Sequence, residues 1–194
     1  MILVIAVLAG LIAGVLFAGI RREPYQIAPL RSTWLVIAGF LPQLVAFYLP
    51  ASREVLPDTT ASLCLISSQI ILFGFAWLNR RYLGITLLMI GLALNLVAIT
   101  FNGGFMPIAP QTAARLVPQE TLQAIPVGSR FGKGKDILLL PEQTRFEMLS
   151  DKFLLPDFLP YQVAFSLGDT LIAAGTFWFL FKGRNLSIIR GSTR

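Results

Sequence analysis

Four polar residues that interrupt otherwise apolar stretches are the strongest candidates for chemistry in this sequence: Gln43, Gln69, Asn95 and Asp169. If each stretch is a helix rising about 1.5 Å per residue, all four side chains lie roughly 10 Å from the same end of the helices. An unpartnered amide or carboxylate in apolar surroundings costs several kcal/mol. The spacing therefore predicts a shared level, the polar layer, in which these four residues bond to one another together with Asn102 and Ser166.

Two interpretations of the polar layer are open. In the first, it is a hydrogen-bonded network that fixes the register of packed helices. In the second, it binds a proton, a small ion or another ligand. No Lys or Arg lies in any of the apolar stretches. Asp169 is therefore either neutral, because burial disfavours the charged form, or paired with a loop cation such as Arg115 or Arg145.

The residue types that the sequence lacks exclude several classes of catalytic and metal site. There is no histidine, which removes histidine-based triads, zinc sites, haem ligation and proton relays. Cys64 is the only cysteine, so it forms no internal disulfide and no cysteine-ligated metal site. The Gly-Lys-Gly-Lys run at 132–135 lacks P-loop spacing and is predicted to be a solvated turn. We predict no catalytic residues and no metal, leave any cofactor unassigned, and favour a protein that is not an enzyme.

The composition indicates the elements that must position the polar layer. Of the 194 residues, 55% are hydrophobic and only 13% are charged, against roughly a quarter charged in an ordinary soluble domain. A membrane-spanning helix needs about 20 mainly apolar residues. Five stretches fit this length or approach it, so we predict an all-α polytopic membrane protein with a single domain over residues 1–194. The five predicted spans are residues 1–20, 34–49, 62–78, 83–101 and 162–181.

The basic residues predict an orientation. Nine cations follow the first, third and fifth apolar stretches, where Glu23 is the only acid. Because cytoplasmic loops carry an excess of Lys and Arg, we expect the N-terminus outside and the C-terminus in the cytoplasm. Anionic lipid headgroups then suffice as partners for the basic face, and no nucleic acid is expected. The nine cations are Arg21, Arg22, Arg31, Arg80, Arg81, Lys182, Arg184, Arg190 and Arg194.

The long segment over residues 102–161 is predicted to be an extracytoplasmic cap. Its prolines precede short amphipathic runs at 111–117 and 119–125, and a further run covers 142–149. Its aromatic and aliphatic content favours short interfacial helices lying on the membrane surface. A disordered loop is the alternative interpretation.

Small residues recur along three of the predicted spans. Stripes of this kind allow helix backbones to approach closely. We expect them to mediate helix packing, with the stripe on the first span as the leading candidate for contact with a partner. The glycines of the stripes are Gly10, Gly14, Gly84, Gly91, Gly168 and Gly175.

Three motifs together resemble a known family. They are the Leu-Asn-Arg-Arg-Tyr-Leu-Gly run at 78–84 followed by Asn95, the Asn-Gly-Gly-Phe-Met-Pro run at 102–107, and the Phe-Ser-Leu-Gly-Asp run at 165–169. The pattern resembles an uncharacterised bacterial membrane family catalogued as domain of unknown function 5317. The resemblance implies a multi-pass fold in a bacterial cytoplasmic membrane, and it implies no activity.

The sequence therefore indicates two alternative functions. The first is a non-enzymatic accessory or scaffold subunit that packs against other membrane proteins or forms a homo-oligomer. The second is binding or transport of a lipid, a quinone or a small ion at the polar layer around Asp169 and Asn95.

Overall fold

The protein is mostly helical in the computed structural model, which describes residues 2–156 and 162–183. Residues 157–161 of the predicted cap and the basic residues Arg184, Arg190 and Arg194 lie outside the described residues. In chain order the helices are α1 (Ile2–Arg21), α2 (Trp34–Gln43), α3 (Pro50–Arg53), α4 (Asp58–Leu78), α5 (Leu83–Phe101), α6 (Pro110–Ala113), α7 (Gln119–Gln123) and α8 (Leu167–Lys182). A π-helical turn, Leu44–Tyr48, extends α2.

Three helices of the described part, α1, α4 and α5, are long and apolar enough to cross a membrane. Together with the shorter apolar helices, they indicate membrane association. The other two predicted spans correspond to shorter elements, namely α2 with its π turn (Trp34–Tyr48) and the 16-residue helix α8.

The predicted start of the last span at residue 162 is wrong, because α8 begins at Leu167. The Ser166 hydroxyl accepts a hydrogen bond from the Asp169 N–H at 3.0 Å, and the Asp169 carboxylate accepts one from the Ser166 N–H at 3.4 Å. This reciprocal pair is a capping box, which satisfies N–H groups that the first turn of a helix leaves unpaired. The apolar residues before it form a short strand instead of helix.

The three long helices and the shorter α2 and α8 pack side by side in the order α2, α4, α5, α8 and α1. Glycines allow α5 and α8 to approach until their backbones touch. A Cβ added at Gly84 would lie 2.5 Å from the Gly175 carbonyl oxygen, and one at Gly91 would lie 2.5 Å from that of Gly168. Only residues without a side chain permit this separation.

The glycine stripe on α1 faces the same helix bundle. A Cβ at Gly10 would lie 2.9 Å from the Phe177 carbonyl oxygen, and one at Gly14 would lie 2.8 Å from that of Leu180. The stripe is therefore covered by α8, so the expectation that it is left open for a partner is corrected.

Three basic loops meet at one end of the bundle. The Asn79 side chain, which is fully buried, accepts a hydrogen bond from the Arg31 N–H at 2.7 Å and donates to the Arg31 carbonyl at 3.0 Å. The Tyr25 hydroxyl donates to the Leu180 carbonyl at 2.6 Å. The loop after α1, the turn between α4 and α5, and the end of α8 thus lie together.

The cap at the opposite end contains strands as well as helices, which corrects the prediction of short helices alone. Strand β1 (Met106–Ile108) pairs in parallel with β2 (Asp136–Leu138), and β3 (Phe153–Leu154) pairs antiparallel with β4 (Ala164–Phe165). The helix expected at 142–149 is divided into two 3₁₀ turns, Pro141–Gln143 and Glu147–Leu149. Phe146 separates them because its φ of 57° is incompatible with a right-handed helix.

Candidate functional site

The central feature of the α5–α8 interface is a closed network of three polar side chains. The Asn95 side-chain N–H donates to Asp169 Oδ1 at 2.7 Å, and the Ser166 hydroxyl donates to Asn95 Oδ1 at 2.8 Å. The capping box joins Ser166 to Asp169 within α8. Asn95 and Ser166 are both buried. In the described part of the chain, both carboxylate oxygens of Asp169 therefore accept hydrogen bonds from within this network.

The other members of the predicted polar layer lie elsewhere. The Gln43 amide donates to the Ser68 hydroxyl at 2.6 Å, which in turn donates to the Gly39 carbonyl and links α2 to α4. Gln69 is buried, and its Oε1 has no hydrogen-bond partner among the residues described. The single predicted layer is thus corrected to two separate clusters with Gln69 in neither, because Gln43 bonds to Ser68 on the neighbouring helix α4, whereas Asn95 bonds to Asp169 and Ser166 at the α5–α8 interface.

Asn102, also predicted to belong to the polar layer, bonds instead to the cap. Its side chain donates to the Arg145 carbonyl at 2.8 Å and accepts from the Arg145 N–H at 2.9 Å. The same amide group also donates to the Ala98 carbonyl at 2.7 Å. Asn102 therefore fastens the cap to the end of α5.

A charged cluster that sequence reasoning missed lies in the cap, and we call its three members, Lys135, Asp136 and Asp151, the cap cluster. The Lys135 ammonium contacts Asp136 Oδ1 at 3.0 Å and Asp151 Oδ2 at 2.5 Å. The run at 132–135 forms a turn, as predicted, but the ammonium of its last residue is paired with two carboxylates although its side chain is 38% exposed. The parallel pairing of β1 with β2 carries Lys135 inward, since its carbonyl accepts the Met106 N–H at 2.9 Å.

The electrostatics of the cap cluster connect it to the α5–α8 network. The pKa of Asp151 is raised to about 8, chiefly by burial; Asp136 and Asp169 contribute to the increase, and the nearby Lys135 opposes it. Burial alone would lower the pKa of Lys135, but Asp136, Asp151 and Asp169 together raise it well above its usual range. Asp169 thus bonds to Asn95 on one side and acts electrostatically on the cap cluster on the other.

Residues 27–181, about four fifths of the chain, match a family of unknown function (DUF5317). The chain belongs to this family. In this DUF5317 protein the matched region contains α2 to α7 and all of α8 except its last residue, and it includes the α5–α8 network and the cap cluster. No curated protein and no solved structure matches the chain.

A second cation of this DUF5317 protein anchors the cap to the bundle. Arg130 is buried, and its guanidinium contacts Asp58 Oδ1 at 3.0 Å and donates to the Lys133 carbonyl at 2.8 Å. The same group lies over the ring of Phe105 at 5.2 Å. Cation–π contacts of this kind stabilise desolvated guanidinium groups. Within residues 2–156 and 162–183, no group of three or more His, Cys, Asp or Glu side chains is arranged to hold a metal ion.

Proposed function

We propose that this protein is a non-enzymatic subunit of a bacterial cytoplasmic membrane that packs in the bilayer against a transmembrane helix of another membrane protein. The observation that carries the proposal is an apolar groove of about 520 Å³ on the outer face of α2. Its lining side chains include exposed Ile37, Phe40, Leu41, Leu44 and Tyr48.

The shape of α2 supports a helix as the occupant. Pro42 lies inside the helix and the π turn follows it directly. Both features bend a helix and leave a concave surface. The element is also short for a membrane, since 15 residues at about 1.5 Å each extend roughly 22 Å, whereas the hydrocarbon core is about 30 Å thick. Oligomerisation is one of the ways by which a short apolar segment relieves such a mismatch.

The packing supports five spans with the N-terminus outside. Helices α2 and α8 each lie against a long apolar helix, and the basic loops that contain Arg31 and Arg81 share one end of the bundle. That end is then cytoplasmic by the excess of positive charge. A Thr121→Cys variant in α7, in a Cys64→Ala background, should react with an impermeant thiol reagent from outside. A Glu23→Cys variant should react only from inside, and the reverse pattern would overturn the orientation.

The proposed contact predicts a site-specific crosslink. A photoreactive residue at Ile37, which is 68% exposed, should capture a partner in native membranes. The matched control is Leu16 on α1, which is 63% exposed but lies outside the groove. The mass of the adduct distinguishes another protein from a second copy of this chain. Equal capture of lipid alone at both positions would contradict the proposal.

A second candidate function is binding of a lipid, a quinone or a small ion around Asp169 and Asn95. It is supported by the position of Asp169 between the α5–α8 network and the cap cluster. Asp169→Asn keeps an acceptor for Asn95 but places an N–H group against the Ser166 N–H. On this function the variant stays folded and changes ligand binding or proton uptake. If it changes only thermal stability, the network is structural.

A further inference from the structure

Asp151 is an unusual carboxyl group because it is almost fully buried and only one of its two oxygens has a hydrogen-bond partner among the described residues. Its side chain is 1% exposed, and its N–H donates to the Pro107 carbonyl at 3.0 Å. Oδ2 accepts from the Lys135 ammonium. Oδ1 is buried and has no hydrogen-bond partner in the described part of the chain. A buried, unpaired carboxylate oxygen is costly, and protonation lowers that cost by removing the charge.

The charges around Asp151 do not balance. Lys135 and Asp136 act on it from the beginning of β2, and Asp169 acts on it from the first turn of α8. Lys152, the next residue in the chain, has its ammonium over the Phe153 ring at 6.0 Å. Among the described residues that act on one another here, one ammonium thus accompanies three carboxyls, counting Asp151 itself, and full ionisation leaves two net negative charges. Binding one proton leaves a single net negative charge.

A proton fits this site better than a metal ion does. The Lys135 ammonium already occupies Oδ2 and would repel a further cation. No metal-binding arrangement of His, Cys, Asp or Glu side chains is present among the described residues. A proton needs no additional ligands and no additional space.

We propose that Asp151 is a proton-binding residue of the cap, and that its ionisation loosens the contact between the cap and the first turn of α8. The β3–β4 pairing joins the cap to the residues just before α8, and the hydrogen bond from Asp151 to Pro107 holds Asp151 against β1 within the cap. Ionised Asp151 is repelled by Asp136 and by Asp169, which lies four residues after the end of β4 at Phe165. The inference goes beyond the proposed function, since it requires neither a partner helix nor a ligand at Asn95.

Infrared spectroscopy of the full chain in lipid nanodiscs tests the proton site directly. Between pH 5 and pH 10, the wild type should show a protonated-carboxyl band that disappears with a midpoint near pH 8. The band should be absent in Asp151→Asn. It should persist in Asp136→Asn with a lower midpoint, because one repelling carboxylate is gone. A wild type with no such band above pH 6, or a band that survives in Asp151→Asn, would overturn the proposal.

Hydrogen exchange tests the loosening separately. The reporters are the N–H of Asp151 and that of Leu155, which donates to the Val163 carbonyl at 3.3 Å. After correction for intrinsic exchange, their protection should fall on the order of tenfold for each pH unit between about pH 4 and the midpoint near pH 8, and it should level off above the midpoint, as for one linked proton. Asp151→Asn mimics the protonated form and should keep its protection. If the protection of these two amides in the wild type does not depend on pH, the proposed loosening is refuted, whatever the crosslinking at Ile37 shows.

Discussion

Gly91→Ala is expected to be one of the most destabilising single-methyl changes in this protein, although alanine is the best helix former. The added Cβ would lie 2.5 Å from the Gly168 carbonyl oxygen and 2.9 Å from the Ile172 backbone nitrogen. These are backbone atoms, which cannot rotate away as a side chain does. Helices α5 and α8 must therefore separate. Overpacking of this kind costs about 1–3 kcal/mol.

The separation should also break the α5–α8 network. Asn95 lies one turn along α5 from Gly91, and its 2.7 Å bond to Asp169 spans the same interface. Leaving buried polar groups unpaired adds about 1–3 kcal/mol. We therefore expect a total loss of about 3 kcal/mol or more in the free energy of unfolding, measured by denaturant titration in mixed micelles.

Gly74→Ala is the matched control for Gly91→Ala. Gly74 lies inside α4, and a Cβ added there meets nothing within 4 Å. The same substitution should stabilise the protein by about 0.5–1 kcal/mol, because alanine loses less backbone entropy than glycine in a helix. If the two variants are equally stable, the close approach of α5 and α8 has no energetic importance.

The helices were predictable from sequence because they depend on local hydrophobicity. The apolar lengths place α1 and α5 nearly correctly, and only the ends of the other segments differ. The true start of α8 had a readable signal in Ser166 and Asp169, a Ser-x-x-Asp capping pattern that outweighs the hydrophobicity of the residues before it.

The cap cluster could not be predicted in the same way. Lys135 and Asp151 are 16 residues apart, and they meet through strands of two or three residues that are too short to show a period in the sequence. The positions of polar residues along apolar segments also do not indicate which helices are neighbours. The prediction therefore placed Gln43 and Gln69 beside Asn95, whereas the Gln43 amide donates its hydrogen bond to Ser68 on α4.

Lys135→Met is expected to destabilise the protein in a strongly pH-dependent manner. The variant removes the cation from Asp151, which is buried, and leaves three neighbouring carboxyls without it. Removing one partner of a fully buried ion pair costs about 3–5 kcal/mol. Because the Lys135 side chain remains 38% exposed, solvent screening reduces the expected cost to about 2–3 kcal/mol above pH 8.

The direction of the pH dependence follows from the two pKa shifts. The folded pKa of Asp151 is raised to about 8, above its unfolded value near 4, so the folded state binds more protons between these values. Its contribution to stability is therefore lost as the pH rises from 4 to 8. The pKa of Lys135 is also raised, so its contribution is present below about 10.5 and is lost only at higher pH.

Lys135→Met should accordingly be tolerated near pH 5, where Asp151 is protonated, and should unfold more readily as the pH increases. Thermal unfolding in nanodiscs at pH 5, 7 and 9 measures this, with the double variant Lys135→Met/Asp151→Asn as the control. Because the double variant contains no buried charge at position 151, its stability should vary little over this range and should exceed that of Lys135→Met at pH 9. A single variant with the same stability at pH 5 and pH 9 would show that Lys135 does not hold the charge of Asp151.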